Sequence, residues 1–152
     1  MHRTFKEMNG GISIGSDHAG YEYKLEVIKY LKEHGFDVVD HGCYNVHSVD
    51  YPDFIHPVGK DIDDQRSMFG VVICGSGNGA AMVANKHLGV RCALCWNVEL
   101  AQLSRQHNDA NVISIPARFV TLEMAIEMIQ AFLTTPFEGG RHQRRVEKIN
   151  LG

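Results

Sequence analysis

Along the chain, short β-branched runs alternate with stretches of helical spacing. The runs are GISIG (11–15), FDVVD (36–40), FGVVICG (69–75), RCALCW (91–96) and NVISI (111–115). Each has the length and composition of a buried strand. Between the first two, Leu25, Ile28 and Leu31 recur at three-residue steps within 20–33, and Gly35 follows as a stop signal. Further helices are expected through Met82 and Asn85, over 97–106 on Val98, Ala101 and Leu103–Ser104, and over 121–133. The last of these opens at Thr121 and Glu123 and places Ala125, Met128, Ile129 and Phe132 on one face. After a break at Thr134-Thr135-Pro136-Phe137, residues 139–150 read as a basic terminal helix.

Strands alternating with helices imply right-handed crossovers and a parallel sheet covered on both faces. The expected fold is α/β, a three-layer αβα Rossmann-like domain with a five-stranded parallel sheet. The length of 152 residues suits one domain over 1–152, with 1–10 as a flexible N-terminal segment. A net charge of −3 gives no general attraction to nucleic acid or an anionic membrane, so any bound anion needs a local site. MHRTFKEMNGG lacks the apolar core of a secretory signal, and no apolar stretch approaches the ~20 residues that span a bilayer. Cys92 and Cys95 share one strand on opposite faces, and no second CxxC completes a zinc site. Reduced cysteines and a cytoplasmic address follow as expectations.

In such a sheet, ligands bind where strands end and loops enter helices. After the third strand comes Cys74-Gly75-Ser76-Gly77-Asn78-Gly79-Ala80. Its glycines let the backbone approach a ligand, and its N–H groups make an anion site. It is neither a Walker loop nor the dinucleotide G-x-G-x-x-G, and a plain strand–helix turn is the alternative. Cys74, at the loop entrance, is either a thiol activated at a helix start or an ordinary core cysteine. After the first strand, Asp17 and His18 bring a carboxylate and an imidazole to the same edge, although Ser16 or Asp17 would also serve as a helix cap. His107 and Asn108 close the fourth helix. Arg141 and Arg145, four residues apart, leave one helix face and suit a phosphate monoester, unless they are only a solvated basic face.

Six segments occur in order from about residue 11 to 150: SDHAG, DYPDF at 50–54, CGSGNG, ANK at 84–86, QHNDAN and EGGRHQRRVEKI. Together they resemble the type B ribose-5-phosphate isomerases. The resemblance implies an aldose–ketose isomerase that interconverts ribose 5-phosphate and ribulose 5-phosphate through an enediol, without metal or other cofactor. It implies Cys74 as base and Ser76, with Gly75, Gly77, Asn78 and Gly79, steadying the reacting oxygens. His107 with Asp17 would open the sugar ring, and His18, Arg141 and Arg145 would clamp the phosphate. Tyr51 and Asn108 would line the sugar site, and a homodimer with shared sites is implied. In a subgroup with the GSGNG loop, a glutamate after the last glycine is the base. Here Ala80 stands there and Cys74 is present. Isomerases of allose or galactose 6-phosphate, a metal-dependent hydride shift and a non-catalytic phosphosugar-binding module are the alternatives.

Overall fold

The computed structural model describes residues 10–151, so the expected flexible segment lies outside the described residues except for Gly10. In chain order the elements are β1 (Gly11–Ser16), α1 (Tyr21–Glu33), β2 (Asp37–Asp40), α2 (Tyr51–Asp63), β3 (Phe69–Cys74) and α3 (Asn78–Ala84). β4 (Cys92–Leu94), α4 (Val98–Asn108), β5 (Val112–Pro116), α5 (Leu122–Thr134) and α6 (Arg141–Glu147) complete it. The five strands form one parallel sheet in the order β2-β1-β3-β5-β4. Chain direction across the sheet reverses between β1 and β3, which opens a crevice at their carboxyl ends.

Alternation along the strands builds two cores. Ile12, Ile14, Val71, Ile73, Ile113 and Ile115 face α1, α4 and α5. Val72, Cys74 and Val112 face α2 and α3, where they meet Ile55, Val58, Ile62, Ala80 and Ala84. Side chains two residues apart share a face, so three layers follow directly from the β-branched runs. Cys92 packs against the second core and Cys95 sits in the first, on opposite faces as expected.

Three elements differ from the sequence reading. α2 is a helix that apolar spacing did not single out. Pro52 and Pro57 lie within it and Gly59 follows, all weak helix signals. Pro52 is tolerated in the first turn, where its missing N–H would be unpaired anyway. Burial of Ile55, Val58 and Ile62 then outweighs the propensity cost. In α1 the buried side chains are Lys24, Val27 and Leu31, whereas Leu25 is exposed. The apolar stripe is therefore turned by one residue, and the stem of Lys24 takes the place read for Leu25. Lys24 Nζ reaches both carboxylate oxygens of Asp40, at 2.7 and 2.8 Å. Finally, the terminal helix spans Arg141–Glu147 rather than 139–150, because Gly139 and Gly140 hold positive φ values of 66° and 56° that no α-helix accommodates.

Candidate active site

Cys74 ends β3 facing α2 and α3, and is 5% exposed. The chain then turns through Gly75 and Ser76 into Gly77, whose φ of 76° is left-handed and open to glycine at little cost. Two hydrogen bonds hold this turn. The buried Ser114 hydroxyl of β5 donates to the Gly77 carbonyl at 2.7 Å, and Asn78 N–H donates to Ser76 Oγ at 3.3 Å. Gly79 opens α3 with the Tyr51 ring laid on it. A Cβ at Gly79 would stand 2.6 Å from Tyr51 Cζ. The glycine thus brings the Tyr51 ring over the loop.

The β1 loop meets this one across the crevice. Asp17 N–H donates to the Ile73 carbonyl at 3.2 Å, beside Cys74. Asp17 is buried, and its Oδ1 accepts from Gly20 N–H at 3.1 Å at the entry to α1. That bond closes the turn before α1, whose N-cap is Gly20 with no side-chain cap, so the capping role expected of Ser16 or Asp17 is not seen. His18 Nδ1 accepts from Val49 N–H at 3.2 Å, which fixes the tautomer with its proton on Nε2. That bond ties the β1 loop to the segment leading into Tyr51.

Arg118 was missed by the sequence reading. Its guanidinium lies against Gly75, with Nη1 3.3 Å from where a Cβ would be, and its N–H donates to the Gly75 carbonyl at 3.0 Å. The signal was available, since Arg118 follows β5 at the same edge of the sheet. Beside the loop a cavity of about 450 Å³ is lined by Ser76, Asn78, Leu94, Trp96, Pro116 and Phe119. Trp96 and Phe119 are 57% and 75% exposed.

Among the four thiols, position and environment separate Cys74 from the rest. Burial pushes the Cys95 thiol up to about 11 and the Cys92 thiol higher still, with Cys95 and Cys74 adding to the rise at Cys92. Both stay protonated at neutral pH. The Cys43 thiol is buried and donates to the Asn45 carbonyl at 3.3 Å.

The remaining expected residues lie elsewhere. α4 leaves the carboxyl end of β4 and runs back to the edge where β5 begins, so His107 and Asn108 at its end are on the opposite side of the sheet from Cys74. An 11-residue helix is about 16 Å long. α6 packs beside α4 there, with the His142 ring stacked on His107 at 4.4 Å and 12°. Arg141 and Arg145 on α6 are exposed. Burial, then the neighbouring His107 and Arg141, holds the His142 pKa below the usual imidazole range. One chain thus gathers Asp17, His18, Tyr51, Cys74, Ser76 and Gly75–Gly79 at one edge. It places His107, Asn108, Arg141 and Arg145 at the other.

The ribose/galactose isomerase family model matches residues 12–149. Ribose-5-phosphate isomerase B of Escherichia coli strain K12 is 41% identical over 138 residues, covering 91% of this chain and 93% of that protein. The solved ribose 5-phosphate isomerase of Thermotoga maritima superposes with a TM-score of 0.92 at 43% identity, covering 95% of this chain and all of that one. The Mycoplasma genitalium ribose-5-phosphate isomerase B, solved with bound ribulose 5-phosphate, gives 0.88 at 43% identity and covers 91% and 93% of the two chains. The chain, matched over nearly its whole length in sequence and in fold, belongs to the ribose/galactose isomerase family.

Proposed function

We propose that this protein interconverts ribose 5-phosphate and ribulose 5-phosphate, with Cys74 as the base and each active site shared by two copies of the chain. The observation that carries this reading is a buried thiol at the mouth of a glycine loop, at the crevice where the sheet reverses direction. Cys74 as thiolate takes the proton from C2 of the open-chain aldose and returns it to C1, while the hydroxyl proton passes from O2 to O1. The enediolate between these steps carries negative charge on oxygen. In this reading, amide donors of the loop and Ser76 receive that charge, and one such donor is typically worth about 3–4 kcal/mol. His107 with Asp17 opens the ring. His18, Arg141 and Arg145 hold the phosphate, and Arg118 adds a cation beside Gly75. Tyr51 and Asn108 line the sugar.

These groups meet only if a second copy brings its α4–α6 corner to the loop edge of the first. Trp96 and Phe119 at that edge, and Met82 on α3, are large apolar side chains exposed by 57%, 75% and 66%. A docked partner would cover such a patch. A symmetric pair closes both sites by one operation. The pentose reading also draws on the relatives named above. The cytoplasm is the compartment that reduced thiols favour, and no described helix is long and apolar enough to cross a membrane.

The test is conversion of ribose 5-phosphate by purified protein, with Cys74→Ala and His107→Ala beside it. Each variant alone should lose about 10²–10⁴-fold in turnover. Co-refolded in equal amounts, they should recover about a quarter of wild-type activity, because half of the pairs then hold one intact site. Full activity in Cys74→Ala would remove the assigned base. Absence of recovery on mixing would remove the shared site. A folded wild type that converts only allose or galactose 6-phosphate would move the substrate to hexoses.

A further inference from the structure

At the α4–α6 corner, three ligand-bearing side chains converge. His107 Nε2 and His142 Nε2 lie 3.9 and 3.5 Å from Glu138 Oε1. All three ligand atoms lie within 4.8 Å of one another. Separations of 3.5 and 3.9 Å are ion-pair contacts longer than a well-formed hydrogen bond. Ligand atoms across a tetrahedral ion with bonds near 2.1 Å stand about 3.4 Å apart. The observed spacing therefore needs a contraction of only tenths of an ångström at Glu138. The two rings are stacked almost parallel, so His107, which is 40% exposed, has to tilt out of the stack before both Nε2 lone pairs can meet at one ion. His142, 10% exposed, is the fixed member. Its backbone N–H donates to the Gly139 carbonyl at 3.1 Å.

Two imidazoles and one carboxylate form a donor set for zinc and its neighbours in the first transition row, and are poor ligands for calcium or magnesium. We propose that His107, Glu138 and His142 form a binding site for a zinc-like divalent cation, and that its occupation inhibits the enzyme by taking His107 away from ring opening. The site was hidden in the sequence. Glu138 and His142 are only four residues apart, but His107 lies 31 residues before Glu138, and the corner assembles only when α6 packs beside α4. Arg141 and Arg145 on the same helix repel a cation and compete with it by attracting phosphate. Metal and sugar phosphate are therefore expected to exclude one another. A fourth position, open to solvent at exposed Glu138, remains for water.

The inhibitory half rests on the proposed role of His107, whereas the binding half does not. Both are read by titrating metal-free protein with Co²⁺, following visible absorption, and assaying the same samples for isomerisation. Wild type should bind one Co²⁺ per chain with an absorption band of low coordination number, and lose activity in step, with recovery on adding EDTA. Glu138→Gln and His142→Ala should each weaken Co²⁺ binding by about tenfold or more, and raise by the same factor the Co²⁺ needed to halve that variant's own metal-free turnover. Glu138 is exposed, so its variant tests the site even if His142→Ala folds poorly. Unchanged Co²⁺ spectra and affinity in Glu138→Gln would overturn the site while leaving the isomerase reading intact. Stoichiometric binding lost in both variants, but without inhibition of wild type, would overturn the inhibitory mechanism and count against His107 as the ring-opening group.

Discussion

Gly79 shows how one missing atom sets up a site. Alanine there would improve the intrinsic helix propensity of α3 by about 1 kcal/mol. Its Cβ, however, would stand 2.6 Å from Tyr51 Cζ and 3.0 Å from the Tyr51 hydroxyl. The tyrosine is 37% exposed and can swing away, so the chain should fold normally. Gly79→Ala is therefore expected to keep or slightly raise Tm while raising KM for the sugar phosphate several-fold. Paired thermal melts and initial-rate kinetics check this, and a lowered Tm with unchanged KM would contradict the placement of Tyr51. The thiol proposed as base has a comparable logic. Cys92 and Cys95 are held protonated by burial, which leaves Cys74 as the cysteine that combines a reachable loop with a strand end.

At the scale of elements, the turned stripe of α1 has a measurable signature. Leu31 is fully buried and Leu25 is 45% exposed. Leu31→Ala should cost about 3 kcal/mol in urea unfolding, and Leu25→Ala about 0.5 kcal/mol or less. Equal costs would restore the reading in which both face the core. Apolar spacing alone cannot show that, in place of Leu25, it is the stem of Lys24 that is buried. Its fully buried stem and its Asp40 partner become visible only once β2 is laid beside β1. The border strands β2 and β4 hold no fully buried residue, whereas β1, β3 and β5 were legible because β-branched runs buried on both faces have few other uses. α2 was not, since Pro52, Pro57 and Gly59 mask a period that tertiary burial enforces. Of the site, the Cys74 loop and Asp17–His18 could be read from one rule about strand ends. Arg118 obeys the same rule and was passed over because the loop after β5 lacks glycines. The separation of His107 from Cys74 depends on helix direction, which motif order along the chain does not convey.

Across the whole molecule, one polar network joins parts far apart in sequence. Ser13 of β1 donates to Asp61 Oδ2 of α2 at 2.6 Å, His41 Nε2 approaches the same oxygen at 2.6 Å, and Arg66 Nε donates to Oδ1 at 2.9 Å. Burial alone would raise the Asp61 pKa, but these hydrogen bonds and the nearby His41 charge outweigh it and hold the carboxyl below the usual range. A lowered folded-state pKa gives stability that is fully present above the unfolded pKa of about 4 and is lost as pH falls through the folded value. Asp61→Asn should therefore lower Tm at pH 7 and flatten the decline in Tm between about pH 5 and pH 3. Melts across that range test it, and a variant whose decline matches wild type would dissociate Asp61 from acid stability.

The sheet also ends, on both sides, in its two shortest strands. β4 has three residues, and β2 has four with an aspartate at each end. Long, flat and uncharged borders are templates on which a stranger's backbone can extend a ladder. Here the ladder stops after a few rungs on one side, and on the other an incoming strand would meet the exposed carboxylate of Asp37. Self-association of this protein is thereby steered away from open-ended stacking of backbones and toward contacts between side chains, which can close on themselves and stop growing.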